Sequence, residues 1–446
     1  MTQIFALHSA YGLATAAAAI DGGLLDRDDD RVLVPFTSSR VPETSRGILA
    51  DPALRSLRGR FDRVEDLDAL LGAAHPSSWK PRDADLPVIA RLLVRAWGLD
   101  EHRIELFVQS PQVAPARTLM SLFPGAPITI IGDGLMTYSP MRVKLAHPVA
   151  ARIVRVVHAD AVPGVAPLVG SPHAAVVPVP PALFASALAE TAAAEEPLDS
   201  GPPTVLVLGQ YLAALGLVSA EEEVAMQVEM IDRAAERSPQ RIVFKPHPSA
   251  PPRFSDALRA RSALHGVEFV EYWGSLPAEL LAERLDVLAV VAGFSTALPT
   301  VRALQGRDIA SAGTETVLAR LTPFENSNRI PVTIVDALTR PDPRWTDPAA
   351  LQELIDAVGY AMQPEIAAHL RPRAVALLAG MDAAERARYF TPERLRALRL
   401  PGAPAESAVE RLLRPAGGVG RWEELRLTAL GARRRAGRAW KAIRGR

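Results

Sequence analysis

Short apolar, β-branched runs recur along this chain, each closed by turn residues and followed by helical periodicity. That alternation constrains the fold more than any other feature. Strands separated by helices pair in parallel, and a parallel sheet is covered on both faces. Residues 4–7 are expected to form a strand leading into a helix over 13–20. Residues 31–36 and 105–109 are the next strands, the latter followed by a helix containing 118–123, and 127–131 is a fourth, running into Gly132-Asp133-Gly134. An Ala-, Glu- and Pro-rich stretch over 187–203 interrupts the series and sets a boundary near Ser200. A second series follows, with strands over 204–208, 241–245, 266–272 and 287–291, a strong helix over 221–237, and 330–335 as the strand that closes the sheet. From Asp347 onward the pattern is helical. The expected fold class is α/β: two doubly wound Rossmann-like domains facing a central cleft, over 1–195 and 203–345, then C-terminal helices over 346–420 and a basic tail over 421–446.

Composition narrows the function. The 446 residues carry 50 Lys+Arg and 50 Asp+Glu, so no global field draws the chain to nucleic acid. Cysteine is absent, which excludes a disulfide framework, a thiolate metal site and a cysteine nucleophile. It also fits a reducing, cytoplasmic compartment. The apolar N-terminus lacks a positive leader region and is broken by His8 and Tyr11, so it reads as a buried strand, a loop and an Ala-rich helix. No uninterrupted apolar stretch reaches the roughly 18 residues of a membrane span.

In open α/β sheets ligands bind beyond the carboxyl ends of the strands, and two such sheets enclose a cleft suited to a nucleotide-sugar transferase. The polar residues at the strand ends are therefore the candidates. Asp133, between two glycines after the strand 127–131, is placed to take a proton from a hydroxyl; an ordinary Asp-Gly turn or helix cap would look the same. Gly134 lets backbone approach a ligand closely. His247, held between Pro246 and Pro248 at the end of 241–245, is placed to assist a leaving phosphate, with the charge of Lys245 beside it; a structural turn histidine is the alternative. Ser295 and Thr296 open a helical pattern after Gly293, an arrangement that suits an anion without a metal, and also suits a plain serine cap. Glu279, in the first turn of a helix beginning at Ser275 or Pro277, is a carboxylate for a ribose diol or a residue favoured there by the helix dipole. Gln210 ends the strand 204–208 on the same edge.

The order Gly132-Asp133-Gly134, His247-Pro248, Ser295-Thr296 resembles the (D/E)(D/E)G, HP and S(S/T) motifs of bacterial sialyltransferases. The surrounding FVQSPQ, FPGAPITIIGDGLMTY and VLVLGQYL resemble the alpha-2,8-polysialyltransferase-related family over roughly residues 1–340. The first acidic position of the motif is glycine here; the second is retained as Asp133. The resemblance implies a GT-B fold and an inverting single displacement from CMP-sialic acid, with no metal and no other cofactor. It implies Asp133 as general base and His247 as general acid or electrostatic stabiliser at the CMP phosphate. Ser295 and Thr296 hold that phosphate, Glu279 and Gln210 the cytidine side. The first domain then takes the acceptor, a glycan or glycolipid, and the second the nucleotide sugar. Other CMP-releasing chemistry, from CMP-Kdo or CDP-glycerol or -ribitol donors, and a non-catalytic binding subunit are the competing readings.

Two basic groups stand apart. In 433–446, read as a helix, Arg434, Arg438 and Lys441 share one face and Ala436, Trp440 and Ile443 another, as in a helix lying on an anionic membrane surface or in a solvated tail. The former would place the protein peripherally on the inner face of the membrane. Arg142, Lys144, Arg152 and Arg155 follow the Asp133 motif and suit either an anionic acceptor or a solvated helix face.

Overall fold

The computed structural model describes residues 1–26, 30–38, 47–192, 201–210, 212–214, 216–247 and 255–404. The chain forms two compact units, Met1–Gly380 and Met381–Arg446. The first holds both sheets. In the second, the helices Ala383–Tyr389 and Pro392–Leu398 are capped by Asp382 and Thr391, whose side chains accept from Glu385 N and Arg394 N. The basic stretch 433–446 lies outside the described residues. Among the described residues no helix is long and apolar enough to cross a membrane.

Among the described residues the N-terminal lobe contains seven strands: β1 (Thr2–Leu7), β2 (Asp30–Pro35), β3 (Arg63–Val64), β4 (Ile104–Gln109), β5 (Ile128–Ile131), β6 (Ile153–Ala159) and β7 (Ala175–Val179). All pair in parallel, in the order β3-β2-β1-β4-β5-β6-β7. The described residues of the C-terminal lobe contain five: β8 (Thr204–Leu208), β9 (Arg241–Lys245), β10 (Glu268–Glu271), β11 (Ala289–Ala292) and β12 (Asp308–Ser311), parallel in the order β10-β9-β8-β11-β12. The two expected doubly wound layers are thus present. The central strands are buried on both faces, as their unbroken apolar sequences require: Ile4 to Leu7 and Val205 to Val207 are all fully covered. Each sheet reverses its winding once, between β1 and β4 and between β8 and β11. A crevice opens at each reversal, beyond the strand ends.

Two expectations are corrected. Residues 330–335 do not close the second sheet; they lie in the helix Arg329–Thr339, and β12 occupies the sheet edge. The stretch is apolar at nearly every position because the helix is buried all round, and an unbroken apolar run does not distinguish a strand from such a helix. The basic group after Asp133 is not one solvated helix face either. Arg155 is on β6, bonded to Glu105 Oε1 at 2.6 Å across the sheet. Arg152 donates to the carbonyls of Met120, Phe123 and Ala126 at 2.7–2.8 Å. Only Arg142 and Lys144 stand exposed.

His158, the penultimate residue of β6, is 2% exposed, contacts the carbonyl of Ala159 through Nδ1 and meets the Tyr138 ring edge-to-face. Burial pushes its pKa down to about 4. The unfolded chain therefore binds the extra proton first: stability is complete above the unfolded value of 6.5 and falls as pH drops from there toward 4. Through this one group the unfolding free energy is expected to fall by about 2 kcal/mol between pH 7.5 and pH 5. Denaturant unfolding of wild type and His158→Gln at both pH values measures the difference, which the variant should lack.

Candidate active site

At the first reversal, β1 runs into His8-Ser9 and β4 into Gln109-Ser110. Parallel pairing of these two strands brings the four residues together across about a hundred positions of sequence. Gln109 organises the crevice. Its Oε1 accepts from His8 N at 3.0 Å and Ser9 N at 3.3 Å, while its Nε2 donates to Ser9 Oγ at 2.7 Å. Gly12 is required beneath it, since a Cβ there would lie 2.5 Å from Gln109 Oε1. Ser9 Oγ also accepts from Gly12 N, capping the helix Ala10–Asp21, and donates to Asp133 Oδ1 at 3.4 Å.

Asp133 follows β5, one strand further along. Its backbone N–H donates to Thr137 Oγ1 at 2.7 Å, which sets the turn, and its side chain caps no helix. Among the described residues Ser9 is the one hydrogen-bond partner of the carboxylate. A cavity of about 220 Å³ opens in front of it, lined by His8, Ser110, Gln112, Asp133, Thr137 and Arg142 among others. His8 Nε2 lies 3.0 Å from Ser110 Oγ. Burial lowers the pKa of His8, and the nearby charge of Asp133 only partly offsets that, so the imidazole is mostly neutral at neutral pH.

The glycine before Asp133 has a structural cause. A Cβ on Gly132 would lie 2.8 Å from His158 Cβ and 2.8 Å from Thr137 Oγ1. The motif's first carboxylate is thus excluded by the histidine buried below and by the threonine that holds the Asp133 turn.

The second reversal carries the other candidates. Gln210, after β8, accepts from Phe294 N through Oε1 at 2.8 Å, and a Cβ on Gly293 would collide with that oxygen at 2.0 Å. Gln210 therefore shapes the turn that leads to Ser295 and Thr296. Ser295 Oγ accepts from Ala297 N at 3.2 Å, so it partly caps the helix Ala297–Gln305. Lys245, at the end of β9, donates to Gly274 O at 3.0 Å and lies 5.0 Å from the centre of the Tyr272 ring. His247 stands exposed at the same edge, with enough protein around it to lower its pKa. Pro248 lies outside the described residues.

Glu279 lies in the first turn of the helix Ala278–Arg284, whose N-cap is Pro277. It is 8% exposed, and burial raises its pKa despite the opposing charge of Lys245. The Tyr11 hydroxyl, from the helix after β1, is buried close enough to Glu279 for that charge to add to a pKa already raised by burial. Glu279 thus sits at the seam between the lobes rather than on an open surface.

The lobes meet at the Asp133 turn. Gly134 has φ +53°, and a Cβ there would lie 2.7 Å from Thr296 Cγ2. Leu135 N donates to Thr296 Oγ1 at 3.5 Å, and Ser139 Oγ to Ser327 O at 3.2 Å. The structure thus brings the turn carrying Asp133 against the turn carrying Ser295 and Thr296. Sequence reasoning missed His8, Ser9 and Gln109; the signal for them was their position at the ends of β1 and β4.

The sequence model of the family described as Alpha-2,8-polysialyltransferase (POLYST) matches residues 3–310. No curated protein matches the chain in sequence. Among solved structures, a sialyltransferase from Photobacterium damselae (residues 113-497, its GT-B domain) is similar at 11% identity and TM-score 0.37, covering 78% of this chain and 99% of that one. The UDP-GlcNAc 2-epimerase of Methanocaldococcus jannaschii is similar at 9% identity and TM-score 0.41, covering 70% and 82%. MurG of Acinetobacter baumannii is similar at 11% identity and TM-score 0.33, covering 84% and 100%.

The packing around Gly132 is directly testable. Gly132→Ala is expected to destabilise the fold by about 1–3 kcal/mol, and Gly132→Asp by more, because a carboxylate would be forced into filled space. Denaturation midpoints of both variants check this; a Gly132→Asp chain as stable as wild type would show that the cavity tolerates the full acidic motif.

Proposed function

Because this chain belongs to the alpha-2,8-polysialyltransferase family, and so is a glycosyltransferase, we propose that it transfers sialic acid from CMP-sialic acid to a glycan or glycolipid hydroxyl, with inversion and without a metal. The observation that carries this reading is the contact of the Asp133 turn with Thr296. It sets a carboxylate beside a cavity on one lobe against a hydroxyl-bearing helix start on the other.

The chemistry follows from these groups. The acceptor hydroxyl enters the cavity of the N-terminal lobe and attacks the anomeric carbon of the sialyl group. Its proton passes to Asp133, which Ser9 orients. The bond to the phosphate oxygen breaks on the opposite face, and CMP leaves. Ser295, Thr296 and Lys245 hold the phosphate, while His247 stabilises the developing charge by hydrogen bond or proton donation. Gln210 contributes by fixing the turn at Gly293–Phe294, and Glu279 by shaping the buried floor on the cytidine side. Gly134 lets its turn approach Thr296 closely.

CMP release from CMP-Neu5Ac, with and without sialylated acceptor and with EDTA, is the primary assay. Release that persists in EDTA, and is abolished for transfer in Asp133→Ala while CMP still binds, is the expected result. Near-normal turnover of that variant would remove Asp133 as base. Release from CDP-glycerol or CMP-Kdo instead would replace the donor.

The lowered pKa of His247 supplies a second test. An arriving phosphate favours the imidazolium, so CMP binding is expected to take up a proton at this residue. CMP affinity should then rise as pH falls from 8 to 6.5, more steeply in wild type than in His247→Asn. Calorimetry in buffers of different ionisation enthalpy reads the proton directly; equal uptake in both proteins would remove His247 from the phosphate.

A further inference from the structure

We propose that Trp273 is the stacking platform for the donor's nucleobase, an inference that rests on the nucleotide-donor reading above. Trp97 and Trp345 are buried, and Trp79 packs partly buried against the N-terminal core. Trp273 alone among the described tryptophans stands in solvent, 60% exposed. An indole carries a large apolar face, and leaving it in water contributes nothing to this fold.

Its position gives the face a use. Trp273 follows β10, so it stands in the same row of strand ends as Gln210, Lys245 and Ser295. The residues on either side of it are pinned. Tyr272 N donates to Phe244 O at 2.8 Å, and Gly274 O accepts from Lys245 Nζ at 3.0 Å. The Tyr272 ring covers Gly274 so closely that a Cβ there would lie 2.2 Å from Tyr272 Oη. The loop backbone is therefore set before any ligand arrives, while the indole itself is left to a partner. A flat, neutral, weakly hydrated ring is the partner that a free indole face selects. Beside a lysine and a histidine placed for phosphate, that ring is the base of a nucleotide. Stacking tolerates any base, so Trp273 supplies affinity while polar groups choose cytosine.

The test uses the full chain with CMP as probe and UMP and AMP beside it, read by calorimetry and by tryptophan emission. CMP is expected to quench emission in wild type, and Trp273→Phe to lose most of that quench. Trp273→Ala should weaken CMP binding about tenfold, with Trp273→Phe recovering part of the loss because it keeps an aromatic face. Donor KM should rise in Trp273→Ala while kcat stays nearly unchanged. Equal CMP affinity in wild type and Trp273→Ala overturns the stacking role and leaves the donor reading standing. Binding of UMP or AMP but not CMP, with a quench that depends on Trp273, overturns the donor and keeps the stacking role. A wild-type chain that binds none of the three overturns both.

Discussion

The pairing of β1 with β4 is the constraint on which the site depends. It is the point where the first sheet reverses its winding, and it places the end of one strand beside the end of another that is distant in sequence. A single side chain then joins them: Gln109 satisfies the backbone of His8 and Ser9 and orients the Ser9 hydroxyl. Buried polar groups of this kind are costly unless fully bonded, so the network has one arrangement available to it. Asp133 is reached through Ser9. Removing the amide of Gln109 would leave backbone donors at a strand end without a partner and release the hydroxyl that orients the carboxylate.

The same logic recurs in the second sheet, where Gln210 at the end of β8 holds the turn after β11. In both lobes a glutamine spans the reversal, and in both a glycine gives it room, Gly12 in one and Gly293 in the other. The polar groups that a static view would assign to substrate are therefore of two kinds. Gln109 and Gln210 spend their side-chain oxygens on the protein itself. Asp133 and His247 retain exposure toward the strand-end edge, where a substrate would have to arrive.

Much of this was legible in the sequence because the central strands are covered on both faces and read as unbroken apolar runs. Asp133 and Ser295 stood out because each follows such a run and its glycine turn, and His247 because two prolines hold it just beyond the end of β9. What was not legible has physical causes. β6 and β7 carry Arg155, His158 and Pro178 because they lie toward one side of the sheet, where an arginine can reach Glu105 and a proline takes an edge position. The helix Arg329–Thr339 reads as a strand because packing covers its whole circumference. His8 and Gln109 gain meaning only from strand pairing, which no local pattern encodes. Glu279 was read as a carboxylate for a ribose diol, and its place in the first turn of a short helix says nothing about the Tyr11 hydroxyl that approaches it from the other lobe.

The glycine that replaces the motif's first carboxylate follows from the same economy of space. His158 is buried beneath the Asp133 turn, and its Cβ, together with Thr137 Oγ1, fills the volume that a side chain at position 132 would need. An acid at position 132 would also set a second negative charge next to Asp133 in a partly covered site, where like charges repel. With glycine, Asp133 has no carboxylate neighbour in sequence. The carboxylate is instead steadied by a neutral hydroxyl, with a largely neutral imidazole lining the same cavity. The departure from the motif therefore leaves the proposed base in place, bonded to Ser9 and lining the cavity.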